Sequence, residues 1–427
     1  IVKACGSIRD IEKGIQVHGE IVHKGLFEKD TILGNALVDM YVKCGMFTKA
    51  WDVLDSMCIR DTVSWNALIV GYAQHGQGKE ALECFEHMQC EGLLPDVITF
   101  TCALKACGCI RSLVEGTRIH DDIIDKDMLN RGTEIGNALI DMYAKCGELI
   151  KAQRVLVHEI LLRNVVTWNT LITGYVQQGL GEEALDSFHQ MQREGISPDA
   201  ITFICILKAC SITQATDKGL EMHIAISKKG LEAEVCISNS LIIFYAKCGL
   251  LLEACGIFQM IPVQDIVSWN SLIAGYGEHG YWEEALDMFR QMQYKGISPD
   301  DVTFICTLKV CSCIGAIDKG QDIHAMVAAR GFETNIFIGN SLVDMYAKGG
   351  LIHESQGVFD KLLVRSFVSW NALIVAHAQC GDMKKIYDIV GRMHAEDINP
   401  NEMTFMSILN ACSHGGLVEY GHICFHS

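Results

Sequence analysis

Eight asparagines, Asn35, Asn66, Asn137, Asn169, Asn239, Asn270, Asn340 and Asn371, recur in one frame, each near the start of a segment with helical spacing. Each is followed, at the close of the same stretch of chain, by a second polar residue: in order Asp61, Asp96, Asn164, Asp199, Asp265, Asp300, Ser366 and Asn401. A side-chain amide offers one acceptor oxygen and two N–H donors. That set matches the edge of a pyrimidine, either uracil's N3–H and carbonyl oxygens or, with the amide turned over, cytosine's N3 and amino group. It fits such an edge better than a peptide backbone. A carboxylate beside the amide holds it in one orientation, and a neutral neighbour leaves it freer.

The frame that positions these amides is a repeat of roughly a hundred residues divided into three shorter units. Aligned on the asparagine, the units are 31-61, 62-96, 97-132, 133-164, 165-199, 200-234, 235-265, 266-300, 301-335, 336-366 and 367-401, with partial units at 1-30 and 402-427. Three kinds alternate. Short units (31-61 and its copies) and tryptophan units (62-96 and its copies, with Trp next to Asn) carry the amide. Amide-free units carry Thr101, Ile204, Ile305 and Met406 in its place, and no base is assigned to them. A period of this size implies stacked units, none of which can bury its apolar face alone.

Within 62-96, Ser64 reads as the helix N-cap. Trp65, Leu68, Ile69 and Tyr72 then form one apolar stripe, and Gly76 suits the left-handed helix end. A second stripe runs through Ala81, Leu82, Phe85 and Met88 before Gly92 and Pro95 close the unit. Four of the five prolines, Pro95, Pro198, Pro299 and Pro400, share that closing position. Thr167, Ser268 and Ser369 take the same N-cap reading as Ser64. The asparagine two residues on falls in the first turn, beside the packing stripe rather than in it. The expected fold is all-α: an α-solenoid of two-helix units, about eleven complete and two partial.

The chain is 427 residues long, 49% hydrophobic and carries a net charge of -17. That acidity sits badly with nucleic-acid binding, because phosphate neutralisation supplies much of the affinity. A binding surface for RNA must therefore be local. No stretch is long and apolar enough for a transmembrane helix. The twenty cysteines fall at repeat positions, with Cys44, Cys146 and Cys248 sharing one, and Cys107, Cys210, Cys311 and Cys412 another. Small buried thiols in a reducing compartment explain that pattern better than a disulfide scaffold.

The unit VVTWNTLITGYVQQGLGEEALDSFHQMQREGISPD resembles a pentatricopeptide repeat. Its alternation with TEIGNALIDMYAKCGELIKA and with a third unit containing TFTCALKACG resembles the P, L and S motifs of the plant PLS subfamily. The resemblance covers essentially the whole chain. It implies a right-handed superhelix that binds single-stranded RNA, one nucleotide per unit, in a mitochondrion or chloroplast. No cofactor, membrane or small-molecule substrate is implied. The family's two-residue code, carried onto matching positions, reads U at Asn35/Asp61, Asn66/Asp96, Asn169/Asp199, Asn239/Asp265 and Asn270/Asp300. It reads C, less strongly U, at Asn137/Asn164 and Asn371/Asn401, and a pyrimidine weakly, with C favoured, at Asn340/Ser366, which departs from the pattern. From residue 31 the implied target is UUnCUnUUnYCn.

Val63, Val166, Val267 and Val368, three residues before their asparagines, resemble the family's base-sandwiching residues; the short units place Ile32, Glu134, Cys236 and Phe337 there, of which Glu134 is a misfit. Lys43, Lys145, Lys247 and Lys348, eight residues after their asparagines, are the candidates for phosphate contact. PLS proteins often end in a zinc deaminase-like domain, which needs H-x-E and P-C-x-x-C segments. His18-Gly19-Glu20 matches the first by letter, but His18 shares its position with His120, His223 and His324, and no C-x-x-C occurs. The expectation is therefore a non-catalytic array with no metal site, positioning a transcript for C-to-U editing by a deaminase or accessory factor outside this segment. A tetratricopeptide-like scaffold for peptides is the alternative, and RNA stabilisation or splicing would use the same surface.

Overall fold

The structure, a computed structural model, describes residues 1–25, 30–129, 132–379 and 382–415. Among them it is all-helical, with twenty-five α-helices, a few short 3-10 and π segments, and no strand. The helices come in pairs: Thr62–Gln74 with Gly78–Cys90, Val97–Ile110 with Leu113–Asp125, Ile266–Glu278 with Trp282–Tyr294, and so on along the chain. None is long and apolar enough to cross a membrane.

Two compact units, Ile1–Lys218 and Gly219–Ser427, are built alike. In the first, the first helices of successive pairs lie side by side: Thr31–Lys43, Thr62–Gln74, Val97–Ile110 and Thr133–Lys145. In the second the row is Val235–Lys247, Ile266–Glu278, Asp301–Ile314 and Ile336–Lys348. Second helices fill the grooves behind the row, where Trp65, Leu68, Ile69, Ala81, Phe85 and Met88 are buried together. This interlocking burial is what stabilises short helices that would be marginal in isolation.

Two glycine positions set the geometry. Gly76, Gly179 and Gly280 end their helices at φ of 73°, 77° and 81°, the left-handed conformation expected there. Gly71, Gly174 and Gly275 lie mid-helix, where a Cβ would come within 2.0 Å of Val42, 2.7 Å of Ala144 and 2.6 Å of Ala246. Neighbouring first helices therefore touch almost backbone to backbone. That close approach brings a side chain on one helix to the start of the next.

Helix starts differ from the sequence reading. The N-caps are Asp61, Asn164 and Asp265, whose side chains accept from the backbone N–H of Ser64, Thr167 and Ser268. Ser64 and Thr167 return the bond to the cap's own N–H, completing capping boxes. Ser369 likewise accepts from the Ser366 N–H. These hydroxyl residues thus occupy the third helical position, and the closing residue of one unit is the cap of the next.

Cys107, Cys210 and Cys311 are fully buried as expected, and burial pushes the Cys107 thiol up to about 12 and that of Cys311 to about 11. Cys44, Cys146 and Cys248 are only half-buried, because they cap helix C-termini where the chain turns outward. The Cys412 side chain lies outside the described residues. His18 bonds the Tyr41 hydroxyl at 2.8 Å, as His120 does Tyr143 and His324 does Tyr346, so the H-x-E letters belong to a repeated helix-to-helix contact. No metal-holding cluster occurs among the described residues.

Candidate functional site

The repeated asparagines sit in notches between adjacent first helices. Asn66, Asn169, Asn239 and Asn270 are only 5–7% exposed, so they lie deeper than a position beside the packing stripe suggested. All but Asn239 are held from two sides. Asn66 Nδ2 donates to Asp96 Oδ1 at 3.1 Å, and the Thr99 hydroxyl stands 2.6 Å from Asn66 Oδ1. Asn169 repeats this with Asp199 at 2.9 Å and Thr202 at 2.7 Å; Asn270 does so with Asp300 at 2.9 Å and Thr303 at 2.7 Å. Asn35, Asp61 and Ser64 form the same triangle at 3.1 and 2.6 Å.

The hydroxyl is the member that sequence reasoning missed as part of the site. Thr99 Oγ1 also lies 2.8 Å from Asp96 Oδ1. Its single proton has two candidate acceptors, and the amide oxygen is the nearer. A carboxylate can only accept, so it fixes Nδ2 toward itself, and the hydroxyl then fixes Oδ1. The amide is oriented before any ligand arrives.

Hydrogen-bonding capacity remains after this. Each amide nitrogen has a second N–H beyond the one given to the carboxylate. Asp61, Asp199 and Asp300 each take the cap, hydroxyl and amide bonds on Oδ1, which leaves Oδ2 clear of all three. The slot therefore presents one donor beside one anionic acceptor. Burial alone would raise these carboxyls. The backbone N–H groups of Ser64, Thr99, Thr202 and Thr303, joined by the hydroxyls and the amides, instead hold Asp61, Asp96, Asp199 and Asp300 below the usual carboxylate range.

Other slots vary in detail. Asn371 donates to Asn401 Oδ1 at 3.2 Å and accepts from Thr404 at 2.6 Å, so the Asn401 oxygen is occupied and its NH2 is the group left to face a ligand. Asn239 is held by both oxygens of Asp265, but the Ser268 hydroxyl turns to the Asp265 carbonyl, and Asn239 Oδ1 is left buried without a partner. Asn340 accepts from Ser369 at 2.5 Å, and no bond joins it to Ser366. Asn137 and Asn164 are not bonded to each other: Asn164 is spent on capping Thr167, and Asn137 Oδ1 is unpartnered.

Val63, Val166, Val267 and Val368 stand 58, 52, 46 and 46% exposed, unlike the buried residues that follow them. Ile32 and Phe337 are exposed at the matching places, as are Cys236 and Glu134. Around Asn270 the arrangement forms a cavity of about 310 Å³. Val267 and Val302, from successive first helices, line it together with Asn270 and Asp300, and Ala246, Lys247 and Gly275 also contribute. A flat ring entering there meets an aliphatic side chain on either face and the amide–carboxylate pair at its edge.

The four sequence-picked lysines are each engaged with an acid. Lys43, Lys145 and Lys348 bind Asp39, Asp141 and Asp344 one helical turn earlier at 2.7, 2.7 and 2.9 Å. Lys247 reaches across to both oxygens of Glu278 at 2.7 Å. A phosphate at any of these lysines competes with a carboxylate.

This architecture has known counterparts. The chain is 35% identical over 426 residues to a chloroplastic pentatricopeptide repeat-containing protein of Arabidopsis thaliana, covering 100% of this chain and 52% of that one. A mitochondrial pentatricopeptide repeat-containing protein of the same plant is 36% identical, covering 99% and 48%. The chain thus spans about half the length of these relatives. Among solved structures, the pentatricopeptide repeat protein PPR10 from maize matches with a TM-score of 0.60 at 20% identity, over 100% of this chain and 72% of that one. PPR10 in complex with an 18-nt psaJ RNA element matches with a TM-score of 0.56 at 17% identity, over 99% and 72%. The PPR repeat family matches residues 60–109, 163–211, 264–313 and 365–414, and the PPR repeat matches 35–61, 137–157, 236–266 and 340–367. The alternating helix pairs and the amides at their seams are thus those of a member of the PPR repeat family, to which this chain belongs.

Proposed function

We propose that the array binds single-stranded RNA with one nucleotide per unit and reads it through the amide slots. The observation that carries this is the residual donor–acceptor pair at Asn35/Asp61, Asn169/Asp199 and Asn270/Asp300. At a closing Asp, the free N–H and the carboxylate oxygen complement a uracil carbonyl and its N3–H. Cytosine, whose N3 is an acceptor, meets the carboxylate unfavourably. At a closing Asn with its oxygen consumed, as at Asn401, the NH2 complements cytosine N3. This supports the target UUnCUnUUnYCn, with the amide-free units leaving n. The valines flank each ring by apolar contact, which contributes less than the ~1–3 kcal/mol per base of aromatic stacking.

The three alternating unit kinds fit the PLS subfamily, and the units are read as 31-61, 62-96, 97-132 and their copies. With chloroplastic and mitochondrial relatives of about twice the length, the role that fits is positioning an organellar transcript for C-to-U editing, with catalysis supplied outside this segment. Binding of UUnCUnUUnYCn is to be compared with its purine-substituted and scrambled versions. The reading requires at least tenfold preference for the pyrimidine pattern, and equal affinity for all three refutes it.

A further inference from the structure

The acidity of the chain is not spread evenly. Within their helical bounds, and leaving aside the capping aspartates of the slots, the first helices of the two units hold eight lysines against seven carboxylates, although the whole chain carries -17. Four of those lysines are the ones bound to acids in the short units. The other four, Lys3, Lys105, Lys208 and Lys309, occupy the amide-free units at one common position.

In Val97–Ile110 and Ala200–Thr213 that lysine is the only charged residue of the helix. Each lies four residues beyond the apolar or hydroxyl residue that replaces the amide, one turn along the same face. At the same helix position the short units carry Asp39, Asp141 and Asp344, the acids that neutralise their own lysines. Lys105, Lys208 and Lys309 are exposed, and no ion pair or side-chain hydrogen bond engages them among the described residues.

Their surroundings connect them to the slots. Lys309 lines a hollow of about 70 Å³ together with Ala274 and Glu278, and those two residues also line the cavity around Asn270 and Asp300. Glu278 is the hollow's lone carboxylate, and Lys247 already holds both its oxygens. Near Lys105 and Lys208 the same charges recur: the Cys102 thiol, raised chiefly by burial, is influenced by both Lys105 and Asp96, and the Cys205 thiol, raised chiefly by burial and bonded to Thr173, by both Lys208 and Asp199 of the preceding slot.

We propose that Lys105, Lys208 and Lys309, with Lys3 as their copy at the start of the array, are the phosphate contacts of the groove: the units that read no base pin the RNA backbone. This rests on the RNA-binding reading above. An ammonium is a compact charge with three donors, suited to a phosphate oxygen that arrives without a fixed angle. The grip therefore recurs once in every three nucleotides, between consecutive pairs of read bases.

The test compares the salt dependence of binding to UUnCUnUUnYCn for the full chain and two variants. For single strands, log K falls with log salt by about 0.7 per phosphate neutralised. A Lys105→Gln/Lys208→Gln/Lys309→Gln variant is expected to flatten that slope by roughly 2 while keeping its preference for pyrimidines over purines. A Lys43→Gln/Asp39→Asn plus Lys145→Gln/Asp141→Asn variant, which removes paired charges, is expected to keep the wild-type slope. Neutral methylphosphonate linkages placed at one step in three should reproduce the flattening in wild type and add nothing to the triple variant. An unchanged slope in a triple variant that still prefers pyrimidines overturns the lysine assignment alone. If wild type shows no preference for pyrimidines, the base-reading account fails instead.

Discussion

Thr303 Oγ1 lies 2.7 Å from Asn270 Oδ1 and 2.8 Å from Asp300 Oδ1, so one buried hydroxyl at the start of a helix joins the amide to the capping carboxylate. The slot is a three-residue device in which the capping carboxylate also holds the amide, and in the proposed reading capping and recognition share atoms. Asp300 starts a helix and, with its other oxygen, offers an acceptor to the groove.

Thr303→Val keeps the shape and removes the proton. The Asn270 oxygen is left buried and unpartnered, at a cost of about 1–3 kcal/mol. Thermal denaturation should show the loss, and discrimination between U and C at the eighth target position should weaken. Thr303→Ser should restore both.

Asp300→Asn replaces the free carboxylate oxygen with an NH2 while keeping the cap. At the eighth position the preference is expected to turn from U to C, by about tenfold for a change worth roughly 1–3 kcal/mol. Fluorescence anisotropy with the two oligonucleotides reads it directly. A preference for U that survives the change contradicts the donor–acceptor account.

How much of this was legible beforehand depends on the residue. The asparagine row and the closing Asp or Asn could be seen because a period makes eight copies speak together. Ser64 was misplaced because a hydroxyl residue ahead of an apolar stripe suits both the N-cap and the third helical position; the deciding cue was the acceptor three residues earlier, Asp61. The pairing of Lys43 with Asp39 was open to view at i, i+4 spacing. The pairing of Lys247 with Glu278 was not, since it joins two units thirty-one residues apart. The close contact of Gly71 with Val42, at the seam that also holds Asn35 and Asp61, joins two units, which no single unit reveals.

That close approach can be tested. Gly275→Ala places a Cβ 2.6 Å from the Ala246 Cβ, and the crowding should outweigh the helix-propensity gain of up to ~1 kcal/mol, giving net destabilisation of about 1–2 kcal/mol. Gly256→Ala, in an exposed helix interior with nothing within 4 Å, should instead stabilise by up to ~1 kcal/mol. Denaturant midpoints of the two variants should move in opposite directions.

Acid should act through the caps. Asp61, Asp96, Asp199 and Asp300 titrate below an ordinary carboxyl when folded. Their stabilising contribution is therefore complete above the unfolded aspartate value of about 3.9 and is lost as pH falls through the lower folded values. Stability contributed by these groups should hold to about pH 5 and fall off below about pH 4, while U preference, which needs only the folded carboxylate ionised, should outlast it to lower pH. A variant with all four changed to Asn should show a flatter acid limb in its melting temperature.

The most direct measurement is selection of bound sequences from a random RNA pool. The account requires pyrimidines enriched in pairs with an unconstrained nucleotide after each pair, U dominating opposite Asn66/Asp96, Asn169/Asp199 and Asn270/Asp300, and C opposite Asn371/Asn401. Enrichment without that period of three, or of purines at the paired positions, contradicts it.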